Sequence, residues 1–322
     1  MGVNKAERVG RKAVKAANGI INSTVLTIII LLVSFASYAM WDSGQVYNAA
    51  SAARYEVYKP GAEDGGKSFG ELQAVNPEVC SWLTVYGTNI DYPVTQGEDN
   101  MKYVNTNAEG GYSLSGSIFL DSGNSRDFSD FNSIIFGHHM EKQTMFGEIG
   151  LFSDKGYFDA RPYGNLYYAG RDHGLEFFAF VHADAYDSSV FAAGVTGRAR
   201  RQAYLDGLLE KAAFTRGIGV TVNDRIVLLS TCSAESTNGR DILVARIMDG
   251  AFDDAFKPTE INNTGTQTTV DGQPGIGAGL PAWLWIALPF PAFLIILSIV
   301  IYHKRRHFRN LEAENENKQK EQ

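Results

Sequence analysis

Two long uncharged stretches bracket this chain, and they constrain its architecture more than anything between them. Residues 16–41, AANGIINSTVLTIIILLVSFASYAMW, carry no charged side chain. A run of roughly 20 apolar residues can cross a bilayer as one helix. Lys5, Arg8, Arg11, Lys12 and Lys15 precede it, and basic residues beside a span favour the cytoplasmic face. A cleaved signal peptide has a similar layout. This run is longer than a usual signal core, and Ala-Ser-Tyr-Ala is a weak cleavage site, so an uncleaved anchor over 20–41 is the expectation. The second uncharged stretch covers 272–302, and its apolar part begins near Pro281. Pro289 and Pro291 would kink a soluble helix, whereas membrane helices tolerate proline better. Lys304, Arg305, Arg306 and Arg309 follow at once and again mark the inner face. Trp41, Trp283 and Trp285 fall where interfacial aromatics belong. The pattern predicts a cell-membrane protein with two spans, at 20–41 and 281–302. A basic N-terminus (1–19) and a tail (303–322) lie in the cytoplasm, and residues 42 to about 280 lie outside.

The outer part has the composition of a folded domain. The chain is 44% hydrophobic and 20% charged, with 19 Phe and 15 Tyr to fill a core. A net charge of -7 argues against a nucleic-acid partner. Residues 42–75 carry mixed helical signals and read as a helical lead-in. From 76 to 256 the chain turns to short β-rich runs. NPEVCSWLTVYGTNIDYPVTQ holds two strands about a Gly87-Thr88-Asn89 turn. GSIFLDS, NSIIFGHH, GNLYYAG, LEFFAFVHADAY, GVTVNDRIVLLSTC and DILVARIMDG continue the series. One helix interrupts it: GRARRQAYLDGLLEKAAF sets Ala203, Leu205, Leu208, Leu209 and Ala212 at helical spacing. The fold class is therefore mainly β, a closed barrel of seven to eight strands with N-terminal helices and one long helix inserted late. Residues 257–280, rich in Gly, Thr, Asn and Pro, read as a flexible linker to the second span.

An extracellular domain meets an oxidising environment. Only Cys80 and Cys232 are present, so at most one disulfide is possible, and chemistry at Cys232 requires its absence. On a strand, alternate residues share a face. Ile226, Leu228, Ser230 and Cys232 therefore lie together, as do Ile134, Phe136 and His138, and as do Arg240, Ile242, Val244 and Arg246. His139 points the other way. If these three strands are neighbours, Cys232, His138 and Arg240 meet at one rim. Such a group suits acyl transfer. A nearby cation activates a thiol, an imidazole moves protons to and from the leaving and entering amines, and a permanently charged guanidinium stabilises an oxyanion. Each residue alone has a bland reading: a buried thiol, a packed His pair, a surface charge.

Four segments together carry more information: NPEVCSWLTVYGTNIDYPVTQGEDN, SLSGSIFLDSGN, IIFGHHMEKQTMFGEI and LLSTCSAESTNGRDILVARI. In these the chain resembles the sortases, cysteine transpeptidases of Gram-positive surfaces, and within them class B. The resemblance covers roughly 75–250. The helix near 198–214 resembles the class B insertion. The family's Thr-Leu-x-Thr-Cys motif reads Leu228-Leu229-Ser230-Thr231-Cys232 here, with Leu in place of the first Thr. The resemblance implies Cys232 as nucleophile, His138, which directly follows a glycine, as general acid and base, and Arg240 as oxyanion or substrate stabiliser. His139 and Arg246 are then structural, and Cys80 a buried thiol. It implies no cofactor and no metal. Implied partners are surface or pilin proteins with a C-terminal sorting motif. The implied acceptor is an amine, either a pilin lysine or a lipid-linked cell-wall precursor. Joining a class B barrel to a C-terminal span favours pilus polymerisation over wall anchoring. The rivals fit less well. A papain-like hydrolase has its cysteine on a helix, ahead of its histidine. A metal site at His138, His139, His173 or His182 lacks ligand spacing. A non-catalytic scaffold leaves the four segments unexplained.

Overall fold

The computed structural model describes residues 5–61, 68–232 and 238–257. The expected linker after Lys257, the second span at 281–302 and the tail at 303–322 lie outside the described residues. The N-terminal apolar run forms helix α1, Lys5–Ala50. Its most apolar window has a mean hydropathy of 2.2 and none of it is buried in protein, so by length and composition α1 can cross a membrane. No proline interrupts 42–50, and the helix runs past the expected end of the span until Ser51 turns extended (φ -68°, ψ 132°). A boundary between two compact units falls after Asp42, and from Ser43 the chain belongs to the barrel unit. There the lead-in forms two 3₁₀ turns, Ala52–Arg54 and Glu56–Tyr58, and helix α2, Phe69–Val75. A capping box starts α2: Ser68 Oγ accepts from the Glu71 amide and Glu71 accepts from the Ser68 amide.

Among the described residues nine strands follow: β1 (Val79–Val85), β2 (Asp91–Thr95), β3 (Ile118–Leu120), β4 (Asn132–Phe136), β5 (Tyr163–Tyr168), β6 (Arg171–Asp184), β7 (Ala212–Thr215), β8 (Arg225–Cys232) and β9 (Gly239–Ile247). They form one sheet in the order β5-β1-β2-β3-β4-β8-β9-β6-β7, and pairing of β5 with β6 closes eight of them into a barrel. This is the expected closed barrel, with β7 as an added edge on β6. β2–β3 and β4–β8 pair in parallel. β6 serves three neighbours, and its ladder with β9 shifts register between Phe177 and Ala179. That extra residue bends the strand.

Side-chain alternation sorts the barrel into two cores. Val227, Leu229, Leu243, Ala245 and Ile135 join the inner cluster, with Phe177 and Phe180. Ile134, Ile226, Leu228, Ile242 and Val244 join an outer cluster, with Phe131 and Val190. Both faces of β4, β8 and β9 are thus buried, which is why they read as nearly continuous apolar runs. Helix α4, Arg198–Lys211, covers the outer cluster with Tyr204, Leu205 and Leu208. Ala203 and Leu209, expected on that face, are exposed. The N-cap of α4 is Gly197 without a side-chain cap. Gly there costs only a few tenths of a kcal/mol (~0.3) relative to Ser, while each buried Leu stabilises by roughly 1.5–3 kcal/mol, so packing decides. The helix stops before the expected 214. Ala212–Thr215 instead pairs with β6, and Phe214 packs on the Phe158 ring at 6.2 Å. Helix α3, Lys155–Ala160, precedes β5 and is capped by Asp154.

After β9 the chain folds down as a strap. The Tyr86 hydroxyl donates to the Phe252 carbonyl at 3.0 Å, and the Phe252 ring stacks on Tyr163 at 4.1 Å. The Phe256 ring covers the β1–β2 turn at Gly87, whose φ of +75° and lack of a Cβ both matter: a Cβ there would lie 2.8 Å from the ring.

Candidate active site

The barrel order makes β4, β8 and β9 neighbours, so the condition set by strand parity is met. Phe136 pairs with Ser230, and the Gly137 amide donates to the Ser230 carbonyl at 3.1 Å. Two residues on from that pair, His138 falls level with Cys232. Cys232 in turn pairs directly with Arg240 across the antiparallel β8–β9 ladder. Cys232 and Arg240 therefore face each other on adjacent strands where β8 leaves the sheet, and His138 follows two residues after the neighbouring end of β4. The Cys232–Arg240 pair lies one step beyond the row of Phe136, Ser230 and Ile242 on the same set of alternate positions.

His138 is half-buried, and its Nε2 lies 2.9 Å from the Val104 carbonyl oxygen. A carbonyl only accepts, so Nε2 carries a proton in this arrangement, and Nδ1 is the ring atom left to exchange one. Val104 ends a 3₁₀ turn, Lys102–Val104, that is firmly built. Tyr103 is buried, donating to Glu78 at 2.5 Å and accepting from Asn76 at 2.9 Å. The Ser117 amide donates to the Tyr103 carbonyl at 3.0 Å. Sequence reasoning missed Val104, because a backbone carbonyl leaves no residue-type signal.

Arg240 is half-buried and donates from Nη1 to the Gly239 carbonyl at 2.9 Å. Arg246 sits deeper and pairs with Glu176 at 2.6 Å, both side chains mostly buried. His139 forms an isolated bridge with Met145. Among the described residues, the other two histidines sit elsewhere. His173 stacks on Tyr168 at 3.8 Å, and burial pushes its pKa down. His182 Nδ1 lies 2.8 Å from the buried Asp241 carboxylate. Cys80 is a free thiol on β1, donating to the Val94 carbonyl at 3.4 Å. Burial pushes its pKa up to about 11, with Arg126 opposing weakly. A thiol so protonated is a poor nucleophile at neutral pH.

A second element missed in the sequence is Glu148, just beyond the His138 loop. It is 3% exposed, and it accepts from the Asn89 amide at 2.9 Å, from Asn89 Nδ2 at 2.6 Å and from the Tyr157 hydroxyl at 3.0 Å. A buried carboxylate so satisfied ties the β1–β2 turn to the far end of that loop.

No family model matches the chain. Curated proteins and solved structures do. Sortase B of Listeria monocytogenes is 31% identical over 180 residues, covering 55% of this chain and 73% of the relative. The structure of sortase B from the type II pilus of Streptococcus pneumoniae is 47% identical, covering 57% of this chain and 100% of that one, with a TM-score of 0.51. A Streptococcus pyogenes class B sortase involved in pilus biogenesis is 38% identical, covering 56% of this chain and 97% of that one, also at a TM-score of 0.51. With an eight-strand barrel and a sequence match spanning most of sortase B of Listeria monocytogenes, this chain belongs to the class B sortases and is a cysteine transpeptidase.

Proposed function

We propose that this sortase joins pilin subunits through a lysine amine, with Cys232, His138 and Arg240 as its reacting groups. The observation that supports this site is the pairing of β4 with β8 and of Cys232 with Arg240 across β8 and β9, with His138 two residues past the end of β4. In the acylation step the Cys232 thiolate attacks the carbonyl at the sorting motif. A C–S bond forms, the C–N bond breaks, and His138 gives its proton to the departing amine. Arg240 stabilises the oxyanion between these events. In the second step the acceptor amine attacks the thioester and gives a proton to His138, and the thiolate leaves. His139 and Arg246 have structural roles. The choice of a pilin acceptor is favoured by the pilus association of the two streptococcal structures. We assign the chain two membrane spans with both termini inside. Enzyme, sorting signal and acceptor then meet at one surface.

The test begins with a library of fluorogenic pentapeptides, from which the one best cleaved by the wild-type chain serves as reporter. Cys232→Ala should form no thioester with it. His138→Ala should lose about 10²–10⁴-fold, the usual contribution of general acid–base catalysis. Arg240→Lys should be strongly impaired, since Lys lacks the planar fork. Turnover by Cys232→Ala would sink the mechanism, and near-normal rates in Arg240→Lys would remove Arg240 from it. For the acceptor, the enzyme is co-expressed with its substrate and surface extracts are run on a denaturing gel. A ladder of covalent multimers supports polymerisation, and a product found only as monomer joined to wall would defeat it.

A further inference from the structure

The segment after His138 folds back tightly on the end of β4. The Phe146 amide donates to the His138 carbonyl at 3.0 Å. The Phe146 ring is fully buried and lies so near Gly137 that a Cβ there would be 2.7 Å from it. His138 is thus held in place by Phe146. Yet the loop between them is in an unfavourable conformation: Lys142, Gln143 and Met145 have φ of 58°, 58° and 53°, a region that residues other than glycine seldom occupy. Such a loop persists only where its surroundings over-determine it.

The restraint comes from the end of α1. The Tyr92 hydroxyl accepts from the Met145 amide at 3.0 Å and donates to the Ala50 carbonyl at 2.9 Å. Tyr92 is 2% exposed, so water does not compete. Ala50 is the last residue of α1, and a terminal carbonyl has no partner within its own helix. One hydroxyl therefore satisfies the helix end and the left-handed residue of the loop at once. One turn back along α1, Tyr47 donates to Glu141 at 3.2 Å, and Lys142 Nζ sits 4.1 Å from the Tyr47 ring centroid.

We infer that Tyr92 is a positioning residue for transpeptidation, a buried relay through which the end of α1 holds the loop behind His138. It touches no reacting atom. It acts on Met145, whose neighbour Phe146 fixes the His138 backbone. The inference rests on His138 being the proton-transferring group. Phenylalanine keeps the ring of Tyr92 in the core and removes only the relay.

The experiment uses the full chain in detergent micelles with the pentapeptide reporter. Tyr92→Phe should lower kcat by about tenfold or more, since a displacement near 1 Å can cost on the order of 10²-fold, and should leave KM within about twofold. Met145 and Phe146 amides should exchange faster with solvent. A merely structural tyrosine would lower the melting temperature without changing kcat per folded molecule, and wild-type kcat in Tyr92→Phe overturns the inference. If that variant does not fold, Tyr47→Phe on the exposed side decides by the same kcat, expected to fall about twofold to threefold; an unchanged kcat overturns the relay. His138→Ala runs alongside. Full turnover there would refute the role of His138 itself, whereas an inactive His138→Ala beside an unimpaired Tyr92→Phe refutes only the relay.

Discussion

Gly116→Ala probes the site through its backbone. Gly116 has a φ of +58°, and a Cβ there would lie 2.5 Å from both the Tyr103 and the Val104 carbonyl oxygens. Left-handed backbone costs a non-glycine residue roughly 1–2 kcal/mol. Forcing an atom into filled space adds about 1–3 kcal/mol. The sum of about 2–5 kcal/mol, at about 2–4 °C per kcal/mol for a domain of this size, lowers the melting temperature by roughly 4–20 °C. The clash falls on the carbonyl that accepts from His138 Nε2. Relief by rotating that peptide removes the ring's partner, so activity should drop further than the loss of folded protein accounts for. Thermal melting followed by circular dichroism gives the first quantity, and kcat per folded molecule below the transition gives the second. Nitrogen chemical shifts of neutral His138 give a third: protonation at Nε2 in the wild type and a mixture of tautomers in the variant. A Gly116→Ala protein that melts with the wild type and turns over normally would refute the close approach and the role given to the Val104 carbonyl.

Two further outcomes follow from groups away from Cys232, His138 and Arg240. With its pKa near 11, Cys80 should stay unlabelled by iodoacetamide at pH 8 in the folded chain, and Cys80→Val should keep full activity; labelling of Cys80 without unfolding would contradict its burial. Asp187 is held at about 2, below its usual 3.8, first by its hydrogen bond from Lys211 and then by Ser189. Its folded value lies below its unfolded one, so its stabilisation is full above pH 3.8 and is lost as the pH falls through about 2. Asp187→Asn should therefore lower the melting temperature at pH 7 and change little at pH 2, and an unchanged melting point at pH 7 would mean that solvent screens the 2.8 Å pair with Lys211.

Much of this was legible in the sequence, for identifiable reasons. The eight barrel strands announce themselves because their faces alternate or, in β4, β8 and β9, are buried on both sides. Strand parity alone put Cys232, His138 and Arg240 on matching faces; only the pairing of β4 with β8 and of β8 with β9 says that the faces are contiguous. The late helix was visible by its period, but its buried stripe was misplaced toward Leu209, because the sheet it covers selects Tyr204 instead. β7 was hidden in the helix tail, since Ala-Ala-Phe suits either state and the neighbouring β6 edge decides. The partners of His138 were the least visible. Val104 and Ala50 act through carbonyls, and Tyr92 through a hydroxyl among many aromatic residues of the core.

The β1–β2 turn has a mechanical consequence. The last residue of α1, Ala50, is held by Tyr92, and the strap after β9 is pinned at Tyr86 and Gly87 by Phe252 and Phe256. Tension applied at these two ends would be taken up within residues 86–92. The load would pass along one hairpin, and through Tyr92 part of it would reach Met145 in the loop after β4. A pull on the ends of a barrel gripped in this way would load that hairpin before the β4–β8 and β8–β9 ladders.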